Sequence, residues 1–494
     1  MLSHLVPVAL GGGAEPTPDE IAAWLDTLPA HDAAASSRLL VEKLVVLNRT
    51  PGAPRSRLRI LDMLRARAER LRLRLESELC GATLPLAPQV RETAHVLEKL
   101  LKELAAGYVA AVLDTPRPWL ALGLRRQVQA PIVAAMQLVA GRLALCDRLH
   151  ARAPASAWQD LHRLYRHARE LGAHQRNAEA SGASPEAVYV RALLLAFAEP
   201  SRLMPGEHER LQQYVIDFGH LASIVEPPIR GDGRCAFLVD LRRDKPGAAF
   251  ARRVETPPAG DRLALLTRPL VEQAYVHMAR LRSGVSPETL GLPADAFAAG
   301  YPALLAKAGR SWRGERRRRS PRLAFRPRVR LSVGFEPAWC SLARCAGKDA
   351  NEGEWTIQNE SADGFALRFA RGANRSLVVG QLVLVRSRER DASYLCVVRR
   401  VQSDGPEHLE IGVQQVVRAA EAARWEPDIA GEGATPIFFC AEARGAPARV
   451  VAPAGRASVN SLLVVERRGR TTSLRVRRFA ERGSVADVIE VEPA

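Results

Sequence analysis

The chain has 494 residues, too long for one ordinary domain, so length alone implies three or four. Hydrophobic residues make up 47%, enough for packed cores, and this excludes wholesale disorder. The formal charge is +17, and six Lys among the 71 basic residues leave 65 Arg, a skew that a GC-rich genome produces and that also suits an anionic partner such as a nucleotide, nucleic acid or membrane surface.

Met1 to Gly13 has an apolar patch but no basic lead-in and no cleavage site for export. Residues 1–200 then read as helical, in the manner of a bundle or an irregular solenoid. In Pro16-Thr17-Pro18-Asp19-Glu20, Thr17 suits an N-cap, Pro18 the first helical position and Glu20 the acid of a capping box. Ile21, Trp24, Leu25 and Leu28 follow at helical spacing. Further helices are expected through Leu58–Leu73, His95–Leu113, Trp119–Leu149, Ala157–Leu171 and Val188–Phe197. The most apolar of them, Ala130 to Ala144, contains Gln137 and Arg142, and no run of 18 apolar residues occurs, so no transmembrane helix is expected.

Residues 201–310 look like a mixed α/β or helical connecting domain. A helix is expected over Pro205–Ile224, strands at Cys235–Leu241 and Arg262–Leu266, and a helix again at Leu270–Leu281. Asp240 and Glu255 are acids beside Arg, which read as surface ion pairs and not as catalysts. His162, His167 and His174 have no Cys or spaced carboxylates near them and read as surface histidines.

From 311 onward the period changes to two. Leu323, Phe325, Val329, Leu331, Val333 and Phe335 are apolar at alternate positions with Arg between them, a half-buried strand with Pro327 at an edge or bulge. Short strands follow at Glu354–Gln358, Phe365–Phe369, Gln381–Val385, Tyr394–Val401 and His408–Val416. Six strands at this spacing suggest a small barrel over 311–423, with Cys340–Gly353 as an inserted loop. Residues 424–494 are β-rich again, at Pro436–Cys440, Ser461–Glu466, Thr471–Phe479 and Val485–Val491. Arg467-Arg-Gly-Arg470 reads as a hairpin connection, within a second small barrel or an extension of the first. The fold class is thus multidomain α+β. It has a helical region, a six-stranded barrel and a small C-terminal β-rich region.

The seven Cys are scattered, and no pattern of His and Cys completes a tetrahedral metal site, as expected of reduced thiols in a cytosol. No Gly-rich phosphate loop, nucleophile elbow or Cys-x-x-Cys pair points to an enzyme.

Two motifs point to a ligand. Trp355 to Phe369 is strand, turn, strand, and its turn has the form Asn-x-Ser-x-x-Gly at Asn359, Ser361 and Gly364. Upstream, Arg318 and Arg322 form an Arg-x-x-x-Arg pair at the mouth of the first strand, inside a run that also offers Arg317 and Arg319. Together these resemble the two-part signature of the PilZ domain, the bacterial receptor for cyclic di-GMP. The resemblance covers about a fifth of the chain, and Gly380, Val397–Val401 and Ile411-Gly-Val413 look like that family's later strands. It implies a barrel that binds cyclic di-GMP through Arg318, Arg322, Asn359, Ser361 and Gly364, with no cofactor and no metal. It also implies bacterial second-messenger signalling, with outputs such as biofilm or motility control, from the cytoplasm.

The chemistry agrees. Guanidinium forks pair with phosphate or with guanine O6 and N7 and stack on purine faces, which Lys does not do. An Asn amide both donates and accepts at a base edge, and Gly admits close backbone approach. In this reading the helical region carries a protein partner, and the linker Ala308–Pro321 couples it to the barrel. Two alternatives compete. One is a nucleic-acid-binding protein using the Arg run, which lacks the interleaved aromatics of single-strand binders. The other is a degenerate PilZ scaffold that binds partners without nucleotide.

Overall fold

The computed structural model describes residues 15–113, 125–175, 177, 182–229, 233–250, 260–298, 300–314, 327–345, 352–361, 363–372, 376–387, 389, 392–404, 408–426, 433–441, 447–483 and 485–494. The protein is a multidomain α+β molecule. A helical region precedes two closed six-stranded β-barrels.

The helical region contains α1 (Pro18–Asp26), α2 (Ala33–Arg49), α3 (Pro54–Glu78), α4 (Pro88–Leu113), α5 (Arg125–Arg148), α6 (Ala157–Glu170), α7 (Pro185–Phe197) and α8 (Glu207–Phe218). The capping box at α1 forms as its residues dictate: Thr17 Oγ1 accepts from the Glu20 N–H at 3.3 Å, and Glu20 accepts from the Thr17 N–H at 2.8 Å. Within α5, residues Gln129–Arg148 are long and apolar enough to cross a membrane, but 67% of that stretch is buried inside the protein, where it packs as a core helix.

The helix expected through Ile224 stops at Phe218. A short 3₁₀ turn follows, and Ser223–Val225 is β1, paired antiparallel with β4 (Arg262–Leu266). With β2 (Ala236–Asp240) and β3 (Ala248–Ala249) these form a sheet of order β1-β4-β2-β3. Helices α9 (Arg268–Arg282) and α10 (Gly300–Trp312) pack beside it. One apolar core runs from Ile21 to Trp312. Trp312 is fully buried and donates its indole N–H to the Leu194 carbonyl at 2.9 Å. The expected linker from Ala308 is therefore helix as far as Trp312.

The first barrel has β5 (Arg328–Val333), β6 (Gly353–Ser361), β7 (Gly364–Gly372), β8 (Leu382–Ser387), β9 (Ala392–Ser403) and β10 (Leu409–Arg418), closed in the order β10-β7-β6-β5-β8-β9. Two sequence expectations fail next to β5. Phe335 does not extend the strand, and Cys340 is not in a loop. The chain turns at Gly334 into helix α11 (Phe335–Ala343). Pro337 sits in its first turn, where the missing N–H costs nothing. The alternating pattern that ran into Phe335 thus ended at a helix start, which period two cannot distinguish.

The second barrel has β11 (Glu421–Glu426), β12 (Thr435–Cys440), β13 (Arg449–Pro453), β14 (Leu462–Arg467), β15 (Arg470–Arg482) and β16 (Ala486–Pro493), closed as β11-β12-β13-β16-β15-β14. Its β14–β15 hairpin turns through Arg468 and Gly469, both at positive φ, as a two-residue turn between right-twisted strands requires. Helix α11 lies between the barrels. Trp339 donates its indole N–H to the Ala423 carbonyl at 2.9 Å, in a cluster containing Leu384 and Leu395 of one barrel and Phe438 and Val451 of the other.

The first barrel is also joined to the helical region. Leu84 exchanges two backbone hydrogen bonds with Leu377, at 3.3 and 2.7 Å, and its side chain lies in the barrel's own core. Ala151 bridges Ser403 in parallel, and Arg152 pairs with Asp404 at 2.8 Å.

Candidate functional site

Asn359 and Ser361 sit near the end of β6. Trp355 and Ile357 of that strand point into the barrel and are buried. Strict alternation would send Asn359 and Ser361 inward after them. A β-bulge between Ile357 and Asn359 prevents this. After it, Asn359 pairs with Ala366, Glu360 with Phe365 and Ser361 with Gly364. Phe365 and Leu367 are buried, so their neighbour Ala366 faces out, and Asn359 and Ser361 share that outer face. One extra residue re-aims two polar side chains, the usual use of a bulge.

Gly364 opens β7 with φ +154°. A Cβ there would come within 2.0 Å of the Val413 carbonyl oxygen on β10. The glycine is needed for strand approach, and Ser361 Oγ donates across the turn to the Gly364 carbonyl at 3.3 Å. The Gln415 N–H donates to the Asp363 carbonyl at 2.8 Å, tying the turn to β10.

The pairings set out a row across four strands: Asn359 on β6, Ala366 on β7, Gly412 on β10 and Arg400 on β9. Ala366 and Gly412 make a shallow floor between an amide and a guanidinium. Arg400 crosses that floor, since a Cβ on Gly412 would sit 3.7 Å from its Nε. The neighbouring row is neutralised by Arg368 and Glu410, paired at 2.5 Å. Gly412 is an isolated glycine within a strand pattern, a recognised sign of close approach. Arg400 carries no sequence signal in so Arg-rich a chain. Its place came only with the register.

Arg317, Arg318, Arg319 and Arg322 lie outside the described residues, as does Glu255. The ends of the segment that carries the arginines are described. It leaves the helical region at Gly314 and returns at Pro327, whose carbonyl accepts from the Ile357 N–H at 3.1 Å. The return point is thus two residues from Asn359. The structure brings Asn359, Ser361 and Gly364 together, with the Pro327 carbonyl bonded to the same strand at Ile357.

Other expectations resolve differently. Asp240 pairs with Arg243 at 3.4 Å and Arg242 at 3.6 Å, as an ion-pairing acid. His162 is not a surface histidine. It is fully buried, Nε2 lies 2.9 Å from the Lys245 carbonyl and Nδ1 lies 2.6 Å from the Tyr189 hydroxyl. Burial holds its pKa below the usual histidine value, so it is a neutral core group. Trp158, Leu161 and Tyr165 share its buried face of α6, so the apolar stripe there takes in a histidine. None of the seven Cys is in a disulfide. Among the described residues no group of His, Cys, Asp and Glu could hold a metal ion.

Residues 19–228 match the family described as "Cyclic-di-GMP receptor FimW, N-terminal domain". That stretch is the helical region, not the barrel with the turn motif. The chain is also similar to the cyclic-di-GMP receptor FimW of Pseudomonas aeruginosa, 27% identical over 269 residues. The match covers 52% of this chain and 42% of that relative, so this chain spans less than half of it.

Proposed function

We propose that this protein is a bacterial cyclic di-GMP receptor of the PilZ type, a binding protein and not an enzyme, working in the cytoplasm. The ligand lies on the outer face of the first barrel, over Ala366 and Gly412. Asn359 and Ser361 address a base edge and the ribose-phosphate rim, and Arg318 and Arg322 close from above as bidentate donors to phosphate or guanine. Arg317 and Arg319 are further candidates in the same run. The observation that carries this reading is the β6 bulge, which turns Asn359 and Ser361 outward beside the point where the arginine-bearing chain returns. Similarity of the helical region to a protein named as a cyclic-di-GMP receptor supports it independently.

Binding is read out through the helical region, which presents a protein partner. The core that runs from Ile21 to Trp312 supports treating residues 1–200 and 201–310 as one mechanical body, with 311–423 as the ligand barrel and 424–494 as an appended second barrel. The seam supports coupling. A cavity of about 230 Å³ lined by Asp147, His150, Arg152, Ser201 and Gln402 separates body and barrel. Gln402 pairs with Glu410, two residues from Gly412 on the ligand face.

Calorimetric titration of the full chain tests the reading. Cyclic di-GMP should bind, excess GMP should not displace it, and replacing Arg318 and Arg322 by Ala should each cost about 1.5–3 kcal/mol of binding. Binding of oligonucleotide in place of cyclic di-GMP would favour a nucleic-acid role for the arginine run. Binding of neither would leave a scaffold.

A further inference from the structure

Helix α11 lies between the two barrels, and its C-terminal end places two cysteines together. Cys340 is 5% exposed and belongs to the apolar cluster that joins the barrels. Cys345, half-buried, packs against the same cluster from just beyond the helix. Neither is in a disulfide.

The helix ends in a closure that fixes their spacing. Arg344 follows the last helical residue, Ala343, in the left-handed region at φ +54°. That turn folds the chain back, so the Cys340 carbonyl accepts from the Arg344 N–H and also from the Cys345 N–H, the latter at 3.0 Å. The second bond is the closure of a Schellman cap, in which the side chains at the two bonded positions commonly meet over the helix end. It also limits the backbone separation. With ordinary bond lengths, an N–H to carbonyl contact of 3.0 Å keeps the two Cα atoms less than about 7 Å apart. Disulfides usually span about 4.4–6.8 Å between Cα atoms, so this pair can close without a large backbone movement. The helix is tied down on both sides of Cys340. Trp339 donates to the Ala423 carbonyl, and Ser341 Oγ donates to the Glu352 carboxylate at 2.9 Å. The fold has therefore already ordered the ring that a disulfide would complete.

We propose that Cys340 and Cys345 form a reversible redox site, oxidised to an intramolecular disulfide by a low-molecular-weight disulfide such as glutathione disulfide. Cys345 is the more accessible and reacts first. Its thiolate attacks one glutathione sulfur, the glutathione S–S bond breaks, and one glutathione thiolate leaves. The Cys340 thiolate then attacks the Cys345 sulfur and expels the second glutathione. Two protein thiols are oxidised, one glutathione disulfide is reduced to two thiols, and the two protein protons end on those thiols. The new bond ties the last turn of α11 to the chain just beyond it, inside the cluster between the barrels. It acts on the joint between barrels and not on the ligand face, so the site is independent of the nucleotide reading. In a cytosol such a disulfide is transient and redox-sensing.

Peptide mapping of the full chain tests the proposal, after native incubation with excess glutathione disulfide at about pH 8, where thiolate is present. Trypsin cuts after Arg330, Arg344 and Lys348, so Cys340 and Cys345 fall on separate peptides, 331–344 and 345–348. Only a disulfide keeps those two together. The joined pair should appear, two hydrogens lighter than its parts, and should separate on reduction. Cys340→Ser should stop the reaction at a glutathione adduct on Cys345. Cys345→Ser should leave the buried Cys340 modified at least about tenfold more slowly than that. Glutathione adducts on the separate peptides with no joined pair would overturn the proposal, as would no oxidation of either residue. So would a disulfide from Cys345 to Cys440, which borders the same cluster.

Discussion

Gly364 and Asn359 belong to one motif but do different work. At Gly364 the constraint is the barrel: a methyl would occupy the space of the Val413 carbonyl, 2.0 Å away. Gly364→Ala should therefore destabilise the protein by about 1–3 kcal/mol or more, through strand displacement and strain. Chemical denaturation would show it with no ligand present. Asn359→Ala and Ser361→Ala remove outward polar groups, so stability should stay within about 0.5 kcal/mol while affinity for cyclic di-GMP falls about tenfold for each. A glycine variant of native stability that fails to bind ligand would reverse this division.

The seam between helical region and barrel rests on few elements. Leu84, in the loop between α3 and α4, is 3% exposed and sits in the barrel core. Leu84→Ala leaves the two backbone bonds to Leu377 but opens a cavity, and should cost about 2–5 kcal/mol. Limited proteolysis should then release a barrel fragment earlier than in the native protein.

His208, at the start of α8, is one of the titratable groups near the seam, with Asp147 and His150. It is 6% exposed, and both ring nitrogens are buried without a hydrogen-bond partner among the described residues. Burial, with Arg148 and His150 nearby and only Glu209 opposing, pushes its pKa down to about 4 from the ordinary 6.5. The folded state holds a neutral imidazole and the unfolded chain takes up a proton below 6.5. Stability from this group is complete above pH 6.5 and declines as pH falls toward 4, by at most about 3 kcal/mol. His208→Phe should flatten that part of the stability–pH curve, measured by urea unfolding between pH 4 and 7. An unchanged slope would exclude His208 as its source.

At the scale of the whole molecule, ligand at the barrel shifts the body only if it binds one arrangement better than the other. Hydrogen exchange with and without cyclic di-GMP should show rising protection across 357–366 and 311–326. It should also show changes around Leu84 and in 147–153, where the helical region meets the barrel. Changes confined to the barrel would make it a passive tether.

Local rules already determined much from sequence alone. A capping box at Thr17 and Glu20 spans four residues, the Arg467–Arg470 hairpin four, and the Asn-x-Ser-x-x-Gly turn six, so short-range chemistry specifies them. Period two marked most strands of both barrels, yet it missed β11, β13 and the helix at Phe335, where the alternation is short or continues by chance into a helix start. Tertiary structure alone decided what depends on register and closure. The bulge at Ile357–Asn359 is visible only once β6 is paired with β7, and it sets which way Asn359 faces. Arg400 joins that face because β9 closes the barrel beside β10. Cys235 and Trp312 meet at the buried Thr267, whose hydroxyl reaches their two carbonyls from 32 and 45 residues away along the chain. Such contacts form through packing between segments that share no local pattern.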